Sequence, residues 1–544
     1  MTTPTAFSGI QALVIDDMAV QQTTMKGHLS LIGIGKVDVA SNADDATKLI
    51  RSRKYGLVLC DYNLNNKTDG QQLFEYLRDN ELLPYDCLFF MITAESSYAS
   101  VAAATEHNPD AYLLKPATAS EIADRLTVQL EKRDALMPIT AKISKEDLQG
   151  AINECDNALT KQNRWFMPVL QLKGQTLLKL GKNDEAKAVY RLAMEKRSDL
   201  IWAQLGLARA YKAAGQYEDA KQTARQIIES RDGEKNVSAY DVVAESLEAQ
   251  GDPQAAMWVL RDAAAVVPSA RRNRIVGESA YRNGDLATAK ECMQKVAKAT
   301  KGSVVAQAQD SLLLAQTMVD LGEPEEAAKL LVESAMNFRN SVAFNNVALA
   351  IQAQAEVKAG KPEAAQKTIA RARETLRKGK ADFATIALAK AEIMTGNEAA
   401  GLKLLESAVS SDHENPRVKQ MISKALSDTG HEDKIHQIVE SGAAALANSI
   451  KDARKLLRDS QIDQAVDAIE AAAREYPENT GVLLQATQIN CMALRLKKEH
   501  DIAMTERVRM YLSRLEKLMP ANDRVIQMKR YFRETVAQLE SQPV

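Results

Sequence analysis

The sequence predicts a multidomain protein: an α/β domain with a five-stranded parallel sheet over residues 10–132, then an all-α superhelical solenoid of repeated helical hairpins. Three observations predict it. Short apolar runs at Ala12–Ile15, Val37–Ala40, Leu57–Cys60, Leu88–Ile92 and Ala111–Leu114 are each followed by a helix-like stretch. From Gly181 onward a glycine returns every 30–38 residues. Aromatic residues make up only 5% of the chain while Ala, Leu, Glu, Lys and Gln are plentiful, which favours helix over most of its length.

At 544 residues the chain is too long for a single small domain. Its 70 basic and 72 acidic residues leave a net charge of −2, so no global field draws it to DNA, RNA or anionic lipid. Cys60, Cys87, Cys155, Cys292 and Cys491 lie far apart in apolar contexts without a C-x-x-C pair, which suggests buried thiols in a reducing compartment. The opening Met-Thr-Thr-Pro-Thr-Ala-Phe-Ser lacks a basic-then-apolar leader, and no apolar span reaches about 18 residues. The expectation is a soluble, cytoplasmic protein with no membrane insertion.

Residues 1–9 read as a tail, and the first five-stranded domain follows. Its third apolar run stops at Asp61, which puts that carboxylate at the carboxyl edge of a parallel sheet, where open α/β folds keep their sites. The other strand ends carry Asp16-Asp17, Thr93-Ala94 and Lys115-Pro116. Three carboxylates gathered at one edge repel unless a divalent cation joins them, and an all-oxygen site suits Mg²⁺. With a phosphoryl donor the roles divide. Asp61 is the nucleophile, Asp16 and Asp17 hold Mg²⁺, and Thr93 and Lys115 meet the phosphoryl oxygens. The plainer alternative has Lys115 neutralising a buried acid and Thr93 capping a helix.

These residues carry a resemblance. Residues 10–132 closely resemble the receiver domain of bacterial two-component response regulators, in Asp16-Asp17, in Asp61 within D-Y-N-L, in Asp69-Gly70, in Thr93-Ala94 and in Y-L-L-K-P at Tyr112–Pro116. The resemblance implies a flavodoxin-like fold with strand order 2-1-3-4-5 and Mg²⁺ held by Asp17, Asp61 and the backbone carbonyl of Asn63, with Asp16 in support. It further implies a histidine kinase or phosphotransfer protein as phosphoryl donor, a switch through Thr93 and Tyr112, and a cis bond at Lys115-Pro116. Two departures stand out. The Asp61 to Gly70 loop is one residue longer than usual, with Asn65-Asn66-Lys67 in place of the common proline, and Glu95 occupies a variable position that tunes water access.

Residues 133–145 read as a linker, with Met137-Pro138 expected to break the preceding helix; short and poor in Gly and Ser, it would be a stiff transmitter rather than a floppy tether. Residues 146–520 read as about nine to ten helical repeats and 521–544 as a capping helix. The hairpin glycines are Gly181, Gly215, Gly251, Gly284, Gly322, Gly360, Gly396 and Gly430, with Ser460 in the next slot. Mostly small residues recur five positions after and seven before each, among them Ala186, Ala220 and Ala256, and Gly174, Ala208 and Ala244. Small facing residues let two helices approach while the glycine supplies a left-handed turn. The pattern resembles the tetratricopeptide repeat, best at 201–234 through Tyr211, Gly215, Tyr217 and Ala220. A generic αα solenoid is the alternative. The repeat around Gly430 is degenerate at Ile435 and Gly442, and a longer unit ends at Pro520.

A repeat array is first a binding surface. In this register the inner face carries Leu312, Val319, Val347, Val357, Phe383, Ile386 and Ile393, with polar Gln309, Gln316, Gln354 and Lys390 among them. The strip reads as a groove for an amphipathic helix or extended peptide, or, if the register slips, as core. Asp241, Glu245 and Glu248 in one repeat and Arg271 and Arg274 in the next are either solvated or paired. The basic runs Arg371 to Lys380 and Arg507 to Lys517 lack interleaved aromatics and read as solvated helix faces rather than an RNA surface. No DNA-binding or enzyme motif follows the first domain, and scattered His431 and His436 do not make a metal site.

The expected function is therefore a response regulator that accepts a phosphoryl group on Asp61 and controls protein binding through the array. It is not an enzyme apart from Mg²⁺-dependent self-phosphorylation and dephosphorylation. The alternatives are a phosphatase or inhibitor of another signalling protein and an adaptor delivering a client for degradation. RNA binding is the weakest reading, and a homodimer is left open.

Overall fold

The computed structural model describes residues 7–64, 68–84, 86–94, 109–161, 163–231, 233–338, 341–375, 382–412, 415–459, 461–477, 479–497, 501–518 and 523–540. Asn65-Asn66-Lys67, Glu95, Arg377 to Lys380, Ser460 and Pro520 lie outside the described residues. The chain divides into two compact units, Met1–Val276 with Gln294–Gln307, and Gly277–Met293 with Ala308–Val544.

The first unit opens with a parallel sheet of β1 (Gln11–Ile15), β2 (Lys36–Ala40), β3 (Leu57–Asp61), β4 (Leu88–Thr93) and β5 (Ala111–Leu114), in the order β2-β1-β3-β4-β5. Period-two alternation sends Leu57, Leu59, Phe90 and Ile92 into the core on one face, and Val58, Cys60, Phe89 and Met91 into the core on the other. A strand buried on both faces needs a continuous apolar run, which is why the sequence signal is four consecutive apolar residues rather than an alternation. Asp61 pairs with Ile92 and Thr93 with Leu114, so both side chains end their strands at one edge.

Helices α1 (Ala19–Leu31), α2 (Ala43–Ser52), α3 (Gly70–Asp79) and α4 (Ala119–Ser144) belong to the same unit. Reciprocal caps start two of them: Asp69 with Gln72 on α3, and Thr118 with Glu121 on α4. The expected break at Met137-Pro138 does not occur. A single helix of 26 residues runs through Pro138 and absorbs the 133–145 linker. Leu136 and Ile139 on either side are buried against Ala151, Cys155 and Val169 of the first array helices, and that burial outweighs the lost backbone hydrogen bond. The link is thus helical.

The rest is antiparallel helix pairs, beginning with Leu148–Leu159. All eight hairpin glycines have positive φ, from +69° at Gly181 to +87° at Gly396. The small residues sit where helices touch. A Cβ added at Gly174 or Gly206 would lie within 2.6 Å of the Tyr190 ring, so one buried tyrosine fills the space both glycines leave. Within the second unit, the degenerate repeat after Gly430 is a 3₁₀ turn (Glu432–Lys434) and a π-helical stretch (His436–Ser441) before the helix Gly442–Arg458. Its last helices, Thr480–Lys497, Ile502–Leu518 and Asp523–Glu540, share a core that includes Ile489, Leu515 and Phe532.

Candidate functional site

The carboxyl edge of the sheet gathers the expected residues. Asp16 follows β1, Asp61 ends β3 and Thr93 ends β4; all three are buried, and Asp17 is half-buried. One oxygen from each of Asp16, Asp17 and Asp61 lies within 4.8 Å of the others. Lys115 Nζ donates to Asp61 Oδ2 at 2.7 Å and reaches Asp16 Oδ2 at 3.5 Å. The Lys115-Pro116 bond is cis. Asp16 Oδ1 accepts from the Met18 amide at 2.9 Å. Asn63, two residues past Asp61, is exposed.

The electrostatics match the geometry. Burial raises the Asp16 carboxyl above its ordinary range, aided by the Asp61 charge, while the Met18 amide and Lys115 pull it down. Burial lowers the Lys115 ammonium, but the Asp61 hydrogen bond and the Asp61 and Asp16 charges outweigh it, so its pKa lies above the usual value. One cation against three clustered acids leaves a negative, all-oxygen site at a strand edge, which fits a hard divalent cation.

The start of α3 is held close to Asp61. Gly70 donates its amide to the Tyr62 carbonyl at 2.8 Å, and a Cβ at Gly70 would stand 2.2 Å from the Asp61 carbonyl oxygen, so only glycine fits. Asp69 beside it accepts from the Gln72 amide at 2.7 Å, and burial pushes its carboxyl up to about 6. Tyr112 is half-buried, and its hydroxyl is buried with no hydrogen-bond partner among the described residues. Asp69-Gly70 is legible in the sequence as a motif, but the close approach at Gly70 and the cap at Asp69 depend on the packing of α3.

The expected groove needs correction. Leu312, Val319, Val347, Ile386 and Ile393 are all buried, and only Val357 and Phe383 are half-buried, so the strip is core rather than an open channel. Within the second unit the inner faces pack on one another. Gln316 bonds Gln354 at 2.8 Å, and Gln354 bonds the Ala387 carbonyl at 2.8 Å. Lys390, 3% exposed, bonds Asp320 at 2.8 Å and Asp428 at 2.7 Å, while the Tyr281 hydroxyl donates to Asp320 at 2.8 Å. The Tyr281 ring meets Phe383 edge-on with centroids 6.5 Å apart. What stays open is a cleft of about 240 Å³ at Phe383, with Tyr281, Leu313 and Met421 in its wall and Arg282 and Arg417 among its polar residues. In the first unit the charged positions are paired: Arg272 is buried on Asp241 at 2.5 Å and 3.0 Å, and Lys212 bonds Glu245.

Comparison with known proteins agrees with both parts. The family model described as the response regulator receiver domain matches residues 12–127, and the one described as the tetratricopeptide repeat matches residues 177–239. Chemotaxis protein CheY-3 of Vibrio cholerae is 24% identical over 123 residues, covering 23% of this chain and 93% of that protein. Chemotaxis protein CheY of Pseudomonas aeruginosa is 23% identical over 123 residues, covering 23% of this chain and 98% of that protein. A solved tetratricopeptide repeat protein from Parabacteroides merdae aligns with 54% of this chain and 98% of its own, at 13% identity and a TM-score of 0.30. Among the described residues no helix is long and apolar enough to cross a membrane. The chain thus joins a response regulator receiver domain to a tetratricopeptide-repeat region.

Proposed function

We propose that this protein is a two-component response regulator that takes a phosphoryl group on Asp61 and uses it to control protein binding by the repeat array, with no DNA-binding output. The observation that carries the reading is Lys115 Nζ at 2.7 Å from Asp61 Oδ2, beside Asp16 and Asp17. The donor is a phosphohistidine on a histidine kinase or phosphotransfer protein. An Asp61 carboxylate oxygen bonds phosphorus as the donor's N–P bond breaks. Asp16, Asp17, Asp61 and the Asn63 carbonyl would hold Mg²⁺, which would supply charge neutralisation for the phosphoryl oxygens. Lys115 holds one of those oxygens with a permanently charged ammonium, and the Thr93 hydroxyl holds another. Thr93 and Tyr112 carry the resulting change outward. The array presents the partner surface, for which the Phe383 cleft is the open candidate.

Incubating the full chain with acetyl phosphate and Mg²⁺ should add one phosphoryl group by intact mass, and Asp61→Asn should add none. Equal labelling of the variant would overturn the assignment. Partner capture from cells should differ between wild type and Asp61→Asn, and Phe383→Asp should lose any partner that uses the cleft.

A further inference from the structure

The receiver and one segment of the array meet inside the first compact unit. Residues 301–307 connect the helices Leu286–Thr300 and Ala308–Asp320, and the unit that holds the receiver includes Gln294–Gln307. A turn shapes the segment: Gly302 has φ +70°, the Ser303 amide donates to the Thr300 carbonyl at 3.0 Å, and Ser303 Oγ accepts from the Val305 amide at 3.1 Å. The same Ser303 hydroxyl is hydrogen-bonded to the hydroxyl of Thr68, which is 3% exposed and lies two residues before Gly70. Val304 packs against the receiver core cluster to which Cys60, Met91, Tyr62 and Tyr112 also belong. At the far end of α3, Asp79 Oδ2 pairs with Arg271 Nη1 at 3.2 Å. Between these anchors a cleft of about 260 Å³ is walled by Gln72, Glu75 and Tyr76 of α3 and by Arg274, Thr300 and Val305 of the array.

We propose that Thr68 and α3 form an output surface of the receiver, that its partner is this chain's own segment 300–307 with Arg271, and that phosphorylation of Asp61 releases the contact. The inference rests on the reading of Asp61 as phosphoacceptor and adds where the signal leaves the receiver and what it touches first. Thr68 lies two residues before Gly70, whose amide bonds the Tyr62 carbonyl next to Asp61, so a shift of Gly70 moves Thr68 and breaks an oriented hydroxyl pair. Val304 rests on the cluster that holds Tyr112, whose buried hydroxyl has no hydrogen-bond partner among the described residues to keep it in place. Segment 300–307 is docked with Asp61 unmodified, and a phosphoryl group releases it to the extent that it favours the undocked form, which places the coupling in these few contacts. Linkage makes it reciprocal: loosening the contact must tighten the binding of a phosphoryl analogue by the same factor.

The test is hydrogen exchange on the full chain with and without Mg²⁺ and beryllofluoride. Peptides spanning 300–307 should exchange about fivefold faster or more when the analogue is bound, while peptides around Asp61 become protected. Asp79→Arg and Ser303→Ala should each speed exchange of 300–307 without analogue and tighten beryllofluoride binding, and Asp79→Arg with Arg271→Asp should restore both. Unchanged exchange at 300–307 alongside protection at Asp61 would overturn the docking inference alone. No protection at Asp61 would overturn the phosphoacceptor reading and the coupling with it.

Discussion

Asp61 and Lys115 were legible because strand ends in a parallel sheet converge, so an acid after one apolar run and a lysine after another must meet. Asp69 was not legible in that way, since its behaviour depends on how deeply the start of α3 is buried. Burial holds its carboxyl at about 6, above the ordinary carboxylate value, so the folded state binds the extra proton between about pH 4 and 6. The sign follows: this group makes the fold less stable as pH rises through that window, and the penalty is complete above it. Asp69→Asn keeps the cap acceptor and removes the buried charge. It should raise unfolding stability at pH 7 by about 1–3 kcal/mol, with the difference vanishing below about pH 4 in urea titrations across that range. A variant no more stable than wild type at pH 7 would refute the buried-charge account.

At the scale of an element, two kinds of glycine do different work in one stretch of the array. Gly215 turns between helices at φ +76° with nothing near a prospective Cβ, whereas Gly206 lies mid-helix against the Tyr190 ring. Gly215→Ala should cost about 1–2 kcal/mol through backbone strain alone. Gly206→Ala should cost about 1–3 kcal/mol through overpacking. Tyr190→Leu in the same chain should relieve the second loss and leave the first unchanged. Chemical denaturation of the four variants checks this, and equal rescue of both would mean that Tyr190 is not what Gly206 makes room for. The helix α4 teaches the opposite lesson about local rules. Pro138 is a sound local stop signal, yet Leu136 and Ile139 have a surface to bury on, and the helix continues.

At the scale of the molecule, the repeat register was readable and its consequence was not. Six residues before successive hairpin glycines stand Gln316, Gln354, Lys390 and Lys424, a polar row along the inner face. Such a row suggests solvent, but in the second unit it is interior: a glutamine pair followed by a lysine cluster on Asp320 and Asp428. Burial depresses the Lys390 ammonium, yet Asp320 and Asp428 hold it above its usual value, so it stays charged. Lys390→Met removes the cation bonded to both acids, leaves them Lys424 as their cation among the described residues, and should destabilise this unit by about 3 kcal/mol. Phosphoryl uptake at Asp61 should be unaffected, because the receiver lies in the other unit. Denaturant unfolding with parallel acetyl phosphate labelling checks both halves, and a loss of labelling would show that the units do not fold separately.

The sequence by itself determined the five strands, the hairpin turns and which side chains meet at the sheet edge, because strand ends, hairpin glycines and small contact residues are local signals whose meaning survives in any tertiary setting. Tertiary structure alone decided whether Leu312 to Ile393 face a partner or one another, whether Pro138 ends a helix, and that Thr68 meets Ser303, 235 positions away in the chain. Each of those turns on which surfaces are brought into contact, and periodicity can say that a face is apolar without saying what covers it.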